Sequence, residues 1–350
     1  MGHVYPEIDW IHRLFETGEL KSDEKVLFVY PKNEILLGLK KILSSNNFEI
    51  VCNSPAHILL YLTAMAFPKV AVDVSHSGLN HGLIGRNGLS AELPFRDAFE
   101  IRQSNYADLR NKTKNSFPLL KNEFSNIFSK RLPKNYIVVQ IKTLAINGTF
   151  QPTNASSLIP VLQEAKDEGF EIIFAGRETM PNEFISLGVT DYANSQDACS
   201  ENDYYLLRGA SYAICSASGF SYIPDILGIP TLQLNAYGIT SIAGPKSLIV
   251  PSLLEVDCKP VSFSKQLELF YQMGQLRRGM QTPPNWKVID ASSDSILAAF
   301  AEIRHMVKLG REFQQSELQL SFRKIFKTQV PGLGACNYSD HFLMENRNRF

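Results

Sequence analysis

A run of small and hydroxyl-bearing residues, Ser216–Gly219, follows a short apolar stretch at Tyr212–Cys215. Helical spacing then covers Phe220–Leu227, Gly228 ends it, and a second apolar run occupies Thr231–Leu234. This pattern predicts a strand, a tight turn, a helix and a strand of a parallel sheet. Open α/β sheets bind ligands at the carboxyl ends of their strands, and small residues let a ligand approach backbone N–H groups closely. The turn therefore predicts a site for phosphate or a sugar hydroxyl.

Two further turns are predicted at the same edge of the sheet. Lys142 follows Tyr136–Ile141, which is too apolar on both faces for anything but a central parallel strand. Gly176, Arg177 and Glu178 follow a predicted strand at Glu171–Ala175. Singly, the lysine could be a solvated loop residue, the Arg-Glu pair a surface ion pair, and the serines helix caps. Together they offer positive charge and close backbone approach, which favours a nucleotide site.

A polar stretch, Asp73–His81, follows a predicted strand at Val70–Val72. Asp73, His76 and His81 could supply a general base or contacts to an acceptor sugar. A polar loop whose Asp and Ser cap a helix is the structural alternative. The spacing of the two histidines is wrong for two ligands on one helix face, and no His-Glu-x-x-His pattern occurs, so no metal site is expected.

The elements around these residues alternate between strand and helix, which predicts an α/β fold with a parallel sheet. In the first part of the chain, strands are expected at Val26–Tyr30, Glu49–Cys52 and Val70–Val72, and helices at Val4–Leu20, Asn33–Leu43 and His57–Ala66. Leu132–Lys134 marks a boundary between a domain at 1–133 and a second at 134–350. A length of 350 residues suits two such domains.

Composition excludes several classes of protein. The 35 basic and 35 acidic residues cancel, so no global field draws in nucleic acid or an anionic membrane. Arg277 and Arg278, with Lys265 upstream, could form a local basic patch, but a solvated surface is the expected alternative for them. No run of 18 apolar residues and no signal peptide occurs, so a cytoplasmic protein is expected. The 5 cysteines lack paired spacing and predict reduced thiols.

The stretch from Ser216 to Pro224, followed by Gly228-Ile229-Pro230, resembles a motif of bacterial GT-B-type glycosyltransferases from surface-polysaccharide (O-antigen or capsule) gene clusters. That motif reads Ser-Ser-Gly-Leu-Ser-Tyr-x-Pro before a helix. It is also similar to the donor-binding region of heptosyltransferases. Further segments of the chain match the family's pattern: Asp191–Ser195, Leu248–Pro251, Val261–Ser264, Asp294–Val307 and His341–Asn346.

The resemblance implies two Rossmann-like domains facing a cleft, with the nucleotide-sugar held by the second domain and the acceptor by the first. It implies donor contacts from the turn residues Lys142, Gly176, Arg177, Glu178, Ser216, Ser218, Gly219, Phe220 and Ser221. Tyr222 and Asp225 could contact the base or ribose, although Tyr222 could equally be a packed helix residue. Two departures are visible: the family's His-x-Arg stands here as Gln140-Ile141-Lys142, and its Gly-Asp turn as Gly176-Arg177.

These features predict a glycosyltransferase that moves a sugar from a nucleotide-sugar to a glycan or glycolipid acceptor. No Asp-x-Asp occurs, and its nearest approach, Glu201–Asp203, reads as a helix cap, so transfer without metal or cofactor is expected. Asp73 is the preferred base, followed by His76 and His81. Nucleic acid is not an expected partner, whereas peripheral association with the inner membrane face is compatible with a neutral chain. A nucleotide-sugar epimerase and a non-catalytic nucleotide- or glycan-binding module are the alternatives.

Overall fold

The computed structural model describes most of the second half of the chain and shorter parts of the first half. The described residues are 4–23, 25–30, 34–42, 47–59, 109–110, 112–113, 127–142, 153–236, 244, 246–275, 283–310, 314–325 and 337–350. The strands are β1 Val26–Tyr30, β2 Phe48–Cys52, β3 Tyr136–Gln140, β4 Glu171–Phe174, β5 Thr190–Asp191, β6 Tyr212–Ser216, β7 Thr231–Ala236, β8 Ser247–Pro251, β9 Leu253–Val256, β10 Lys259–Pro260, β11 Trp286–Ile289 and β12 Asn337–Tyr338.

The helices pack around these strands. They are α1 Val4–Thr17, α2 Glu34–Ile42, α3 Ile127–Arg131, α4 Ile159–Asp167, α5 Asn182–Ser186, α6 Ser200–Gly209, α7 Tyr222–Ile226, α8 Phe263–Gln275, α9 Ser293–Leu309, α10 Glu317–Arg323 and α11 Asp340–Glu345, with 3₁₀ turns at Ala155–Leu158 and Arg347–Arg349. None of the helices in the described ranges combines the length and the apolarity that a membrane span requires.

A seven-stranded parallel sheet organises the chain from Tyr136 onward, in the order β12-β8-β7-β6-β3-β4-β5. From β3 the chain builds β4 and β5 on one side, and then returns to place β6 on the other side. The strand order therefore reverses at β3, between β4 and β6. Such a reversal opens a crevice at the carboxyl ends of the strands, where open α/β sheets bind ligands. The predicted α/β fold with a large parallel sheet is confirmed.

Strand β3 is central, as its sequence predicts, because alternate residues enter different core clusters. Ile137 and Val139 pack with α4 and α9 on one face, whereas Tyr136 and Val138 pack with α6 and α7 on the other. All five residues of β3 are buried. An apolar run without alternation is what a strand covered on both faces requires.

The central stretch forms the predicted strand, turn, helix and strand with shifted ends. Strand β6 extends one residue beyond the predicted end, to Ser216, and β7 continues to Ala236. Helix α7 begins at Tyr222, later than predicted, because Ser221 closes a turn by donating its N–H to the carbonyl of Ser218. Gly228, with a φ of 72°, follows the helix end as expected.

The described N-terminal elements lie against the α6 and α7 face of this sheet. Strands β1 and β2 are parallel, and Phe28, Leu39 and Ile50 join the cluster that holds Leu206 of α6. Helix α2 contacts α6, and α1 contacts α7. Residues 54–59 are helical, and the rest of the predicted helix His57–Ala66, like the predicted strand Val70–Val72, lies outside the described residues. The four described cysteines, Cys52, Cys199, Cys215 and Cys258, are free thiols.

Candidate functional site

The turn after β6 is fastened by its own serine hydroxyls. Ser218 Oγ donates to Gln140 Oε1 over 2.8 Å and accepts from the N–H of Phe220 at 3.2 Å. Ser221 is fully buried; its Oγ donates to the carbonyl of Ser218 at 2.7 Å and accepts from Gln233 Nε2 at 2.7 Å. These bonds fix the turn against β3 and β7. The N–H of Gly219 makes no hydrogen bond within the described part of the chain, and Gly219 is partly exposed.

Lys142 lies beside this turn at the end of β3. Its backbone N–H donates to Ser216 Oγ at 3.1 Å, and its carbonyl accepts from the N–H of Thr153 at 2.8 Å. Ser216 Oγ also shares a 2.8 Å hydrogen bond with Thr153 Oγ1. Burial lowers the pKa of the Lys142 ammonium, and the nearby Glu178 carboxylate opposes that shift. A lysine backbone clamped in this way holds its side chain at the crevice.

The turn after β4 approaches β3 closely at Gly176. Its φ is 114°, and a Cβ added there would lie 3.1 Å from Cγ of Gln140. Both observations favour glycine, because other residues are strained at this φ and would crowd the glutamine. Gln140 thus touches the turns after both β4 and β6. The structure brings Lys142, Gly176, Ser216 and Ser218 together at the point where the strand order reverses.

Arg177 follows Gly176, and its partner is Asp203 of α6. Arg177 Nη2 lies 3.1 Å from Asp203 Oδ2, and Tyr192 donates its hydroxyl to Asp203 Oδ1 at 2.9 Å. The Arg177 side chain is 48% exposed and that of Asp203 only 12%. Burial raises the pKa of Asp203 to about 6, although Arg177 and Tyr192 both act to lower it. The Arg177–Glu178 ion pair considered from sequence is thus replaced by a pair with Asp203.

The polar edge continues from Ser216 toward the end of β7. Asn235 has a φ of 57° and donates from Nδ2 to Thr153 Oγ1 at 3.2 Å, while its Oδ1 accepts from the N–H of Ala291 at 2.9 Å. Next to it, Asp290 Oδ2 accepts from the N–H of Asn154 at 3.2 Å, and burial raises the pKa of this carboxyl. A chain of hydrogen bonds therefore links Lys142 to the start of α9.

Asp225 does not lie at this edge. Its carboxylate accepts hydrogen bonds from the Arg110 guanidinium and from the hydroxyl of Ser247, the first residue of β8, and its side chain is 2% exposed. Helix α7 runs from the carboxyl ends of the strands back toward their amino ends, which carries Asp225 away from the crevice. These contacts are those of a buried structural ion pair and differ from the predicted contact with a base or ribose.

Phe220 and Tyr222 are partly buried and pack against the core clusters beneath the turn. Tyr222 joins clusters on both faces of the sheet, which matches the packed helix residue considered from sequence. A contact of either ring with a nucleobase stays a prediction. Asp73, His76 and His81, the predicted base and its alternatives, lie outside the described residues, and their roles stay predictions as well.

Sequence reasoning missed several polar residues that build the edge. Gln233 is a polar residue inside an apolar run, and a fully buried side-chain amide in a strand is a signal for a specific hydrogen-bond role. Asn235 directly follows the apolar run Thr231–Leu234. A polar residue at the end of a predicted strand could therefore have been recognised as a candidate for the same edge of the sheet. Thr153 and Asp203 carry no comparable signal, because only the tertiary arrangement brings them to Ser216 and Arg177.

Metal ligands are not grouped in the part of the chain that the structure describes: no three His, Cys, Asp or Glu side chains there could hold one ion together. The candidate ligand-binding groups at the crevice are cations and N–H donors, which attract anions. They come from Lys142, Arg177 and Gly219.

No protein-family model matches the sequence, and no curated protein matches it either. Distant structural similarity exists to E. coli heptosyltransferase WaaC with ADP, at 13% identity over 80% of this chain and 96% of that chain, with a TM-score of 0.42. A glycosyl transferase family 9 protein from Veillonella parvula DSM 2008 gives 10% identity, 86% and 94% coverage, and a TM-score of 0.45. The iron-containing dodecameric glycosyltransferase TibC from enterotoxigenic E. coli H10407 gives 14% identity, 64% and 62% coverage, and a TM-score of 0.38.

Proposed function

We propose that this protein is a glycosyltransferase that moves a sugar from a nucleotide-sugar to a surface glycan or glycolipid acceptor. The observation that best supports this proposal is the 2.8 Å hydrogen bond from Ser218 to Gln140, which joins the turn after β6 to β3 where the strand order reverses. Open α/β sheets bind nucleotides in the crevice outside this point. A GT-B arrangement belongs to the proposal, with residues 1–133 for the acceptor and 134–350 for the donor.

We assign the donor diphosphate to Lys142, Arg177 and the N–H of Gly219. As the bond to the sugar breaks, negative charge develops on the departing phosphate oxygens, and preorganised cations and N–H groups stabilise that charge. The hydroxyls of Ser216 and Ser221 are engaged inside the protein, so we assign them to holding the turn.

The acceptor hydroxyl needs a base, and we propose Asp73 for this role, with His76 and His81 as the alternatives, on the sequence alone. Transfer without a metal ion is also part of the proposal. Its support is the absence of Asp-x-Asp from the sequence, together with two cationic side chains in the region assigned to the diphosphate.

A nucleotide-binding module without transfer activity is the second candidate. The observation that favours it is the pairing of Arg177 with Asp203, which offsets positive charge that a departing diphosphate would need. The two candidates share the binding site and differ in turnover.

The first experiment is a thermal-shift screen of the protein against nucleotides and nucleotide-sugars in the presence of a chelator. A ligand that binds only the folded state raises the apparent stability by mass action. We expect one nucleotide family to raise the Tm. Lys142→Ala should weaken binding roughly 10- to 100-fold, the range for losing a charge-assisted hydrogen bond. Lys287→Ala, on a lysine that is 72% exposed, is the matched control and should bind as the wild type does.

Turnover separates the candidates. With the stabilising donor and a lipid-linked or free glycan acceptor, a transferase releases nucleoside diphosphate and forms a product that is one sugar larger. Binding without release identifies the module, and a changed sugar without any acceptor identifies an epimerase. If no nucleotide or nucleotide-sugar shifts the Tm, with or without magnesium, the proposed function is wrong.

A further inference from the structure

The Arg177–Asp203 ion pair has a buried negative end and a solvent-facing positive end. Asp203 is held from both sides, by Arg177 Nη2 at 3.1 Å and by the Tyr192 hydroxyl at 2.9 Å. Arg177 is also near Ser200 Oγ and the Gly176 carbonyl, each at 3.4 Å, and nearly half of its side chain faces solvent. An anion that reaches the exposed side of Arg177 is therefore separated from a buried carboxylate by one guanidinium group.

We propose that this pair makes anion binding proton-linked: a diphosphate that binds Arg177 is taken up together with a proton from solvent, which Asp203 accepts. The inference rests on the proposed function, since the anion is the diphosphate of the donor. Its basis is electrostatic, because a bound diphosphate brings two negative charges toward a carboxylate that little water screens. Protonation of Asp203 removes that repulsion and leaves the whole charge of Arg177 to the ligand.

Among Asp203 and the groups that face it, Asp203 is the one that changes its protonation state near neutral pH. Tyr5 of α1, Tyr192 after β5 and Tyr204 of α6 all interact with it electrostatically. Burial raises the pKa of Tyr5 to about 12 and also raises the pKa values of Tyr192 and Tyr204 well above that of a free phenol, so these phenols stay neutral near pH 7. The carbonyl and thiol of Cys199 lie at the start of the same helix, near Tyr192 and Asn202. Other charges there, Glu201 and Lys41 of α2, lie 4.0 Å apart and pair with each other.

The sign of the linkage follows from the direction of the change. In the ligand-free protein, burial raises the pKa of Asp203 to about 6, and a bound anion raises the pKa further. Affinity for the anion must then rise as the pH falls toward about 6 and level off below it. A rise of about one pH unit on binding corresponds to roughly tenfold in affinity. Loss of the carboxylate's charge should outweigh any loosening of Arg177, because Ser200 and Gly176 still contact the guanidinium.

The experiment is isothermal titration calorimetry with ADP-ribose and UDP-glucose between pH 5.5 and 8, in pairs of buffers with different ionisation enthalpies. Both phosphates of these probes are esterified, so the probes themselves do not titrate in this range. The wild type should take up a fraction of a proton at pH 7 and bind roughly tenfold more tightly at pH 5.5 than at pH 8. Asp203→Asn should take up none, with nearly pH-independent affinity. Glu201→Gln removes a carboxylate from the same helical turn and should keep the wild-type uptake.

The outcomes separate this inference from the function on which it rests. Binding by the wild type without proton exchange would overturn the inference and leave the proposed function in place. Proton uptake that persists in Asp203→Asn would do the same. If neither probe nor any other nucleotide-sugar binds between pH 5.5 and 8, the proposed function fails and the inference fails with it. In the wild type alone, binding without proton exchange overturns the inference, and proton uptake with an affinity that levels off below about pH 6 supports it, so the test does not depend on the folding of Asp203→Asn.

Discussion

Gly176 and Gln140 approach each other so closely that a side chain at position 176 would press on the glutamine. A Cβ at Gly176 would lie 3.1 Å from Gln140 Cγ, and Gln140 Oε1 in turn accepts a hydrogen bond from the hydroxyl of Ser218. The glutamine therefore couples the turns after β4 and β6. A change in the turn after β4 should therefore displace the turn after β6, although the two turns are about 40 residues apart in the sequence.

Gly176→Ala should lower both stability and nucleotide affinity. The alanine would be strained at a φ of 114°, with an expected cost of about 1–2 kcal/mol, and its methyl group would displace Gln140 from Ser218. Gly169→Ala is the matched control, because Gly169 has a φ of 88° and no atom within 4 Å of an added Cβ. It should lose stability through backbone strain and keep its affinity. Denaturant unfolding and calorimetric titration measure the two quantities; equal affinity losses in both variants would contradict the coupling through Gln140.

Much of the large sheet could be predicted from the sequence, because its strands are covered on both faces. A strand such as Tyr136–Gln140 needs apolar residues at every position, so its sequence marks it directly. The carboxyl ends of parallel strands lie at one edge of the sheet. The sequence therefore also predicts that Lys142, Gly176 and Ser218, which follow three of these strands, lie close together. The general position of the candidate site thus depends on local patterns and on one rule of topology.

Side-chain partners could not be predicted in the same way. Arg177 pairs with Asp203, 26 residues away, because the first turn of α6 packs against the residues that follow β4 and β5, and no local pattern in the sequence encodes that packing. From the sequence, Asp225 could contact the base or ribose of the donor. The structure places its carboxylate against Ser247 at the amino end of β8, because α7 runs in that direction. Helical spacing in the sequence does not specify the direction in which a helix runs.

Asp203 should make the stability of the protein depend on pH. Its pKa is raised to about 6 in the folded protein, against 3.8 in the reference state, so the folded protein binds the extra proton between these values. Stability from this group is fully present below about pH 4 and falls as the pH rises to about 6, by roughly 2–3 kcal/mol. Asp203→Asn should lack this fall. The check is the difference between the free energies of unfolding of the two proteins from pH 4 to 8; a constant difference would show that the pKa of Asp203 is not raised.

Asp225→Asn should destabilise the protein strongly while leaving nucleotide affinity unchanged. Arg110 and Asp225 are only 4% and 2% exposed, and neutralising the carboxylate removes the negative charge that Asp225 places against the buried guanidinium. Breaking a buried pair from one side typically costs about 3–5 kcal/mol. Glu268→Gln, which breaks an ion pair of side chains that are about half exposed, is the control and should cost less than about 1 kcal/mol.

Ser247→Ala provides a milder test of the same ion pair, since it removes one hydrogen bond to Asp225 and should cost about 1 kcal/mol. It remains informative if Asp225→Asn does not fold. Unfolding in denaturant gives the stability of each variant, and titration with the stabilising nucleotide gives the affinity of the folded protein. If Asp225→Asn instead kept its stability and lost nucleotide binding, Asp225 would be a ligand contact, and the structural role that its burial indicates would be wrong. Because Asp225 touches Ser247 at the amino end of β8 and the crevice lies at the opposite ends of the strands, we expect the loss to appear in stability alone.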